Sequence, residues 1–147
     1  MLDALTTQSI EGFYKRWSPQ AFAFARHLFG DGNRAERALQ EAFHTYIEWE
    51  LPLDEADPPA FLFLFVLDYA RKDAPEQTST KQHLALPEAL LSIPATERAV
   101  FILQAVMGWD DLLVGETVEL PVQEVRKHMM KALRALRALM SKSPFTK

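Results

Sequence analysis

An all-α fold of two small helical units joined by a polar linker is what this sequence predicts, on three observations. Apolar residues recur at steps of three and four along most of the chain, with no strand-like alternation and no internal repeat. The stretch Lys72 to His83 (KDAPEQTSTKQH) breaks that pattern with a proline and three hydroxyl residues and almost nothing to bury, as a linker does. Trp109 to Met140 then reads as a short helix, a tight corner at Pro121 and a long helix that is apolar on one side and basic on the other. The expected boundaries are residues 1–72 for the first unit, 73–85 for the linker and 86–147 for the second.

The elements follow in order. A first helix is expected over Gln8 to Trp17, with Ile10, Phe13, Tyr14 and Trp17 on one side. Ser18-Pro19 supplies an N-cap and a proline at the first helical position, so a second helix starts there, carries Phe22, Phe24, Ala25, His27, Leu28 and Phe29, and ends at Gly30. Asn33 with Glu36 three residues on makes a capping box for a third helix to Trp49, which buries Ala38, Leu39, Ala42, Phe43, Tyr46 and Ile47. Leu51 to Asp57 is an acidic, proline-bounded loop, and Asp57-Pro58 opens a fourth helix to about Lys72. Beyond the linker come a short helix, Leu86 to Leu91, and a longer one, Ala95 to Met107, closed by Gly108.

In the final helix Val122, Val125, Met129, Ala132, Leu133, Leu136 and Met140 fall within one stripe about 100° wide, and Arg126, Lys127, Lys131, Arg134 and Arg137 fall opposite. A short helix across the start of a long one with a cationic outer face has the layout of a helix-turn-helix, whose second helix enters a DNA major groove. An amphipathic helix with a basic solvated face has the same pattern, and both readings stand at this point. Net charge adds to the first. The chain carries −4 in total, but Pro121 to Lys147 holds seven basic residues against the single acid Glu124, while the first 120 residues hold nine basic residues against nineteen acids. A basic end of +6 on an acidic body of −10 has the polarity of a nucleic-acid contact confined to one end, or of two mutually complementary surfaces. The absence of cysteine leaves no disulfide framework or thiolate metal site and suits a reducing cytoplasm. The start, MLDALTTQ, lacks a secretion signal, and the longest apolar run, Ala60 to Leu67, is too short to span a bilayer, so no membrane partner is expected.

The order of parts resembles the extracytoplasmic-function sigma factors of bacterial RNA polymerase. FYKRWSPQAFAFARHLFGDGNRAERALQEAFHTYIEW looks like that family's second region, with its Gly-Asp turn and the run Ala35, Glu36, Gln40, Glu41, Phe43. LPEALLSIPATERAVFILQAVMGWDDLLVGETVELPVQEVRKHMMKALRAL looks like its fourth region, through the Leu-Pro opening, Glu97 to Phe101, Gly108 and Val125-Arg126. The resemblance implies that Glu36, Gln40 and Glu41 dock on the clamp helices of core RNA polymerase, and that the last helix reads duplex DNA at the −35 element. Gln123, Glu124, Lys127 and Lys131 have the residue types that contact base edges or phosphates, whereas Arg126, Arg134 and Arg137 suit backbone or water.

The chain departs from the family where promoter DNA is opened. Only Arg71 and Lys72 stand after the fourth helix, where family members carry a longer basic stretch, and the preceding loop holds Asp54, Glu55 and Asp57, which repel phosphates. Phe61 to Leu67 is apolar all round, so something buries it: its own core, the second unit or a partner protein. Arg37 stands where the family usually has an acid, and Glu119 where glycine is usual at the turn of the motif. Gly115 fits a close approach of the two motif helices. Phe63, Leu112 and Leu113 are expected to form an apolar partner patch for an anti-sigma factor or a homodimer seam.

No enzyme, cofactor or metal is expected. The four histidines are scattered, the five glycines form no phosphate cradle, and Asp110 sits where an N-cap belongs. Two functions remain: a sigma-type initiation factor that binds core polymerase and promoter DNA, or a sigma-like interaction protein that binds an anti-sigma factor or other regulator without promoter melting.

Overall fold

Seven α-helices and one π-helical turn make up the described residues of the computed structural model, which are 4–73 and 83–141. No strand occurs among them. The helices are α1 (Ala4–Phe29), α2 (Gly32–Glu48), α3 (Ala60–Asp73), α4 (Leu86–Leu91), α5 (Ala95–Phe101), α6 (Asp111–Val118) and α7 (Val122–Met140), with the π turn (Ile102–Val106) directly after α5. Most of the expected linker, residues 74–82, lies outside the described residues.

The two helices expected before Gly30 are one. Helix α1 runs through Pro19 without a break. An interior proline costs a helix about 3 kcal/mol. Here Phe13, Trp17, Ala21, Phe24, Ala25 and Leu28 are all buried on one continuous face, and breaking the helix at Pro19 would throw half of them out of register. The missing N–H would have bonded to the carbonyl of Lys15, whose side of the helix is exposed to water. Gly30 then ends the helix with φ +71, as expected. The cap of α2 is Asp31 and not Asn33: the Asp31 carboxylate accepts the Asn33 N–H at 2.9 Å, and the helix starts two residues earlier than the capping box implied.

Helices α1 and α2 join through aromatic rings. Phe13 stacks on Tyr46 at 4.9 Å and meets Phe43 edge-on at 5.9 Å. The acidic loop is tied down on the same side: the Trp17 indole donates to the Asp54 carbonyl at 2.8 Å, and the Tyr46 hydroxyl donates to the Pro52 carbonyl at 2.6 Å. Burial, assisted by the Asp54 carboxylate, pushes the Tyr46 phenol above its usual pKa and keeps it a donor.

Helix α3 sits between the two halves of the chain. Leu62, Phe63, Val66, Leu67 and Ala70 are buried. The Phe63 ring lies 5.4 Å from Phe24 of α1 on one side and 4.6 Å from Trp109, ahead of α6, on the other. Phe63 therefore cannot belong to a surface patch; its exposure is zero, and the residue that would have met a partner meets the chain's own second half. A second tie is Arg98 of α5, a fully buried guanidinium. It donates to the carbonyls of Leu90 (2.8 Å) and Ile93 (2.9 Å) in its own half and of Leu28 (2.7 Å) in the other. The buried apolar residues of both halves form one continuous core.

Candidate nucleic-acid interface

Local chemistry builds the corner before α7. The Asp110 carboxylate accepts the Leu113 N–H at 2.9 Å and caps α6, the role its position predicted. Glu119 closes α6 in the left-handed conformation (φ 61, ψ 46), and the Leu120 N–H returns to the Gly115 carbonyl at 3.0 Å. A β-carbon on Gly115 would stand 2.7 Å from the Leu120 carbonyl oxygen, so the corner closes only over a glycine. Pro121 then turns the chain, its carbonyl accepting the N–H groups of Glu124 and Val125. Val114, Thr117 and Val118 of α6 and Val125, Ala132 and Leu136 of α7 are buried, and this fixes which side of α7 faces out.

The outward side carries the predicted residues. Gln123, Arg126, Lys127, Lys131 and Arg134 are exposed, as is Arg137, while Glu124 is half-buried. Two of the cations already have partners in the chain. The Arg126 Nε donates to Asp111 at 2.9 Å, and the Lys127 ammonium lies 3.4 Å from Glu124. Among the described residues no ion pair involves Lys131, Arg134 or Arg137.

Asp111 is a contact the sequence did not make legible. Its carboxylate receives Arg126 from α7 and the Gln104 amide from the π turn, joining three elements. The hydrogen bond from Arg126, then that from Gln104, holds its pKa below the usual aspartate value. Adjacent to Asp110, Asp111 reads in the sequence as a spare acid of the first turn; only the crossing of α6 over α7 reveals its partners. His128 Nδ1 lies 3.1 Å from Glu97 on the inner side of α7, within ion-pair range but not aligned for a hydrogen bond.

The stripe of α7 is narrower than its pattern suggested. Leu133 and Met140 are exposed, together with Met130, because α4 and α5 cover only the near side of the helix. Leu112 of α6 is 69% exposed and Leu113 half-buried, so of the three expected partner-patch residues these two reach the surface. On the opposite half, Glu36, Gln40 and Glu41 are all exposed along α2. Among the described residues no group of three or more His, Asp or Glu stands close enough to hold a metal ion, and no helix is long and apolar enough to cross a membrane.

Over nearly its whole length the chain is similar to the sigma factor RpoE from Bartonella quintana, solved in complex with the anti-sigma factor NepR. The TM-score is 0.63 at 16% identity, over 95% of this chain and 98% of that one. The fold is that of a sigma factor. No family model matches the chain, and no curated protein matches it by sequence.

Proposed function

We propose that the chain is a sigma-type transcription factor of the extracytoplasmic-function kind. In this reading α7 contacts duplex DNA through Gln123, Lys127, Lys131 and Arg134, with Glu124 and Arg126 at the edge of the contact. The ridge Glu36, Gln40 and Glu41 on α2 engages core RNA polymerase. One observation carries the reading: on a sigma-factor fold, the basic side of α7 faces solvent, with Lys131, Arg134 and Arg137 in no ion pair among the described residues. Outward cations of this kind are what a phosphate backbone binds, by releasing counterions. The deciding experiment is co-purification with core polymerase followed by promoter-dependent transcription in vitro. Duplex binding without polymerase binding would make the chain a helix-turn-helix regulator on a sigma frame.

A second reading is favoured by the state of α3. Its buried residues, Phe63 among them, are spent on the chain's own core, and the loop before it holds Asp54, Glu55 and Asp57 where an unpaired promoter strand would need cations. In this reading the protein keeps the fold, binds an anti-sigma factor or a comparable regulator through Leu112 and Leu113, and does not melt promoters. The structure to which it is similar was itself solved with an anti-sigma factor. Transcription from a pre-opened template but not from a duplex promoter would favour it.

A further inference from the structure

We infer that the chain self-associates, the acid-bordered aromatic face between α2 and α3 of one copy receiving the basic outer face of α7 of a second copy. Both faces are open and neither is accounted for by the core. On the first, Trp49 is 60% and Phe61 51% exposed. They are joined through the half-buried Phe65, which lies 5.2 Å from Trp49 and 6.3 Å from Phe61. Glu41, Asp68 and Lys72 line the groove beside Trp49 and Phe65. The segment that links Trp49 to Phe61 holds no basic residue and four acids, of which Glu50 and Asp57 are exposed, while the Asp54 carboxylate accepts the Ala56 N–H and the Glu55 carboxylate turns toward Gly12 of α1. Asp68 is paired with Arg71 at 2.8 Å, and Arg71 also donates to Thr96 at 3.1 Å, so among the described residues the acids of this face without an ion pair are Glu41 and those of the segment 50–57. Ring faces bordered by carboxylates attract cations and repel phosphates.

The second face has the matching chemistry. Met130, Leu133, Arg134 and Arg137 recur at helical spacing on the outer side of α7, with Lys131 beside them, and all are exposed. Arginine and methionine are residue types that aromatic interfaces accept. An acidic aromatic surface and a basic amphipathic one on the same chain complement each other between copies. Such a contact is head-to-tail, so it closes where the rotation between copies brings the free faces together and otherwise runs on into chains. The basic residues it covers are those assigned above to DNA, so duplex binding and self-association compete. The inference shares that face with the proposed function but does not require DNA binding.

Sedimentation velocity on the full chain over a range of concentrations, at low and high salt, reads it directly. We expect a concentration-dependent association that weakens with salt. Trp49→Ala and Arg134→Glu should each weaken it by about tenfold or more, with helical circular dichroism unchanged because both side chains are exposed. Trp49→Ala should leave the duplex affinity of the dilute, monomeric chain intact and raise the apparent affinity at associating concentrations, Arg134→Glu should lower both duplex binding and association, and added duplex should dissociate the oligomer. A chain that stays monomeric at every concentration overturns the inference, as does an association indifferent to both substitutions. So does a single-stranded oligonucleotide whose binding is lost on Trp49→Ala, which would return that face to nucleic acid. Duplex binding by a strict monomer would leave the proposed function standing and remove only this inference; self-association without duplex binding would do the reverse.

Discussion

Arg98 shows how much one side chain can hold. A guanidinium removed from water is costly, and it is tolerated here because its donors meet three carbonyl oxygens, two from its own half and one from the end of α1. Arg98→Met keeps most of the volume but removes three buried hydrogen bonds, of whose acceptors Leu90 alone is seen to have backbone donors as well, so it should cost about 3 kcal/mol or more in urea unfolding. Asp111 acts at the surface and through pH. Because Arg126 and Gln104 hold its pKa below the ordinary aspartate value, its contribution to joining α6 and α7 is fully present above that ordinary value. It is lost as pH falls through the lowered one. A carboxyl titration followed by NMR should find the Asp111 midpoint below the usual aspartate range and moved back toward it in Arg126→Ala. In the sequence Asp110 declared its capping role by position alone, and the turn at Glu119 came only with the family resemblance; Arg98 and Asp111 were not legible, since their partners lie far along the chain.

At the scale of elements, the corner between α6 and α7 and the exposed side of α7 make separate demands. Gly115→Ala sets a β-carbon against a backbone oxygen that cannot rotate away, so it should destabilise the chain by about 1–3 kcal/mol and, in the DNA-binding reading, lower duplex affinity along with it. Lys131→Ala touches no intramolecular partner and should leave stability unchanged. In the DNA-binding reading it should reduce the slope of log affinity against log salt by about one counterion, whereas an unaltered slope would count against a phosphate contact there. Lys127 is the weaker probe, because Glu124 already stands beside it. Periodicity foretold where most helices lie because a 3.6-residue repeat is written locally. It missed the continuity of α1 because proline is a local breaker whose cost is outweighed by burial that only the assembled helix obtains.

For the whole molecule the decisive contact is α3 between the halves. Phe63→Ala removes a ring packed against Phe24 on one side and Trp109 on the other, and should cost about 3–5 kcal/mol. Because one core joins both halves, the wild-type chain should unfold in a single cooperative transition by circular dichroism and by tryptophan fluorescence alike; two separated transitions would mean that the halves fold independently. The sequence alone determined the helical class, the order of most elements, the caps at Gly30 and Asp110, and the basic polarity of the final helix, since each is encoded in residue type and spacing within a few positions; the corner at Gly115 and Glu119 was legible only through the family resemblance. Tertiary structure decided which apolar residues are truly covered: it took Phe63 inside, left Leu112, Met130 and Trp49 outside, and buried Arg98. Those outcomes depend on surfaces brought together from distant parts of the chain, and an apolar run too long for one face of a helix does not say which neighbour will cover the other.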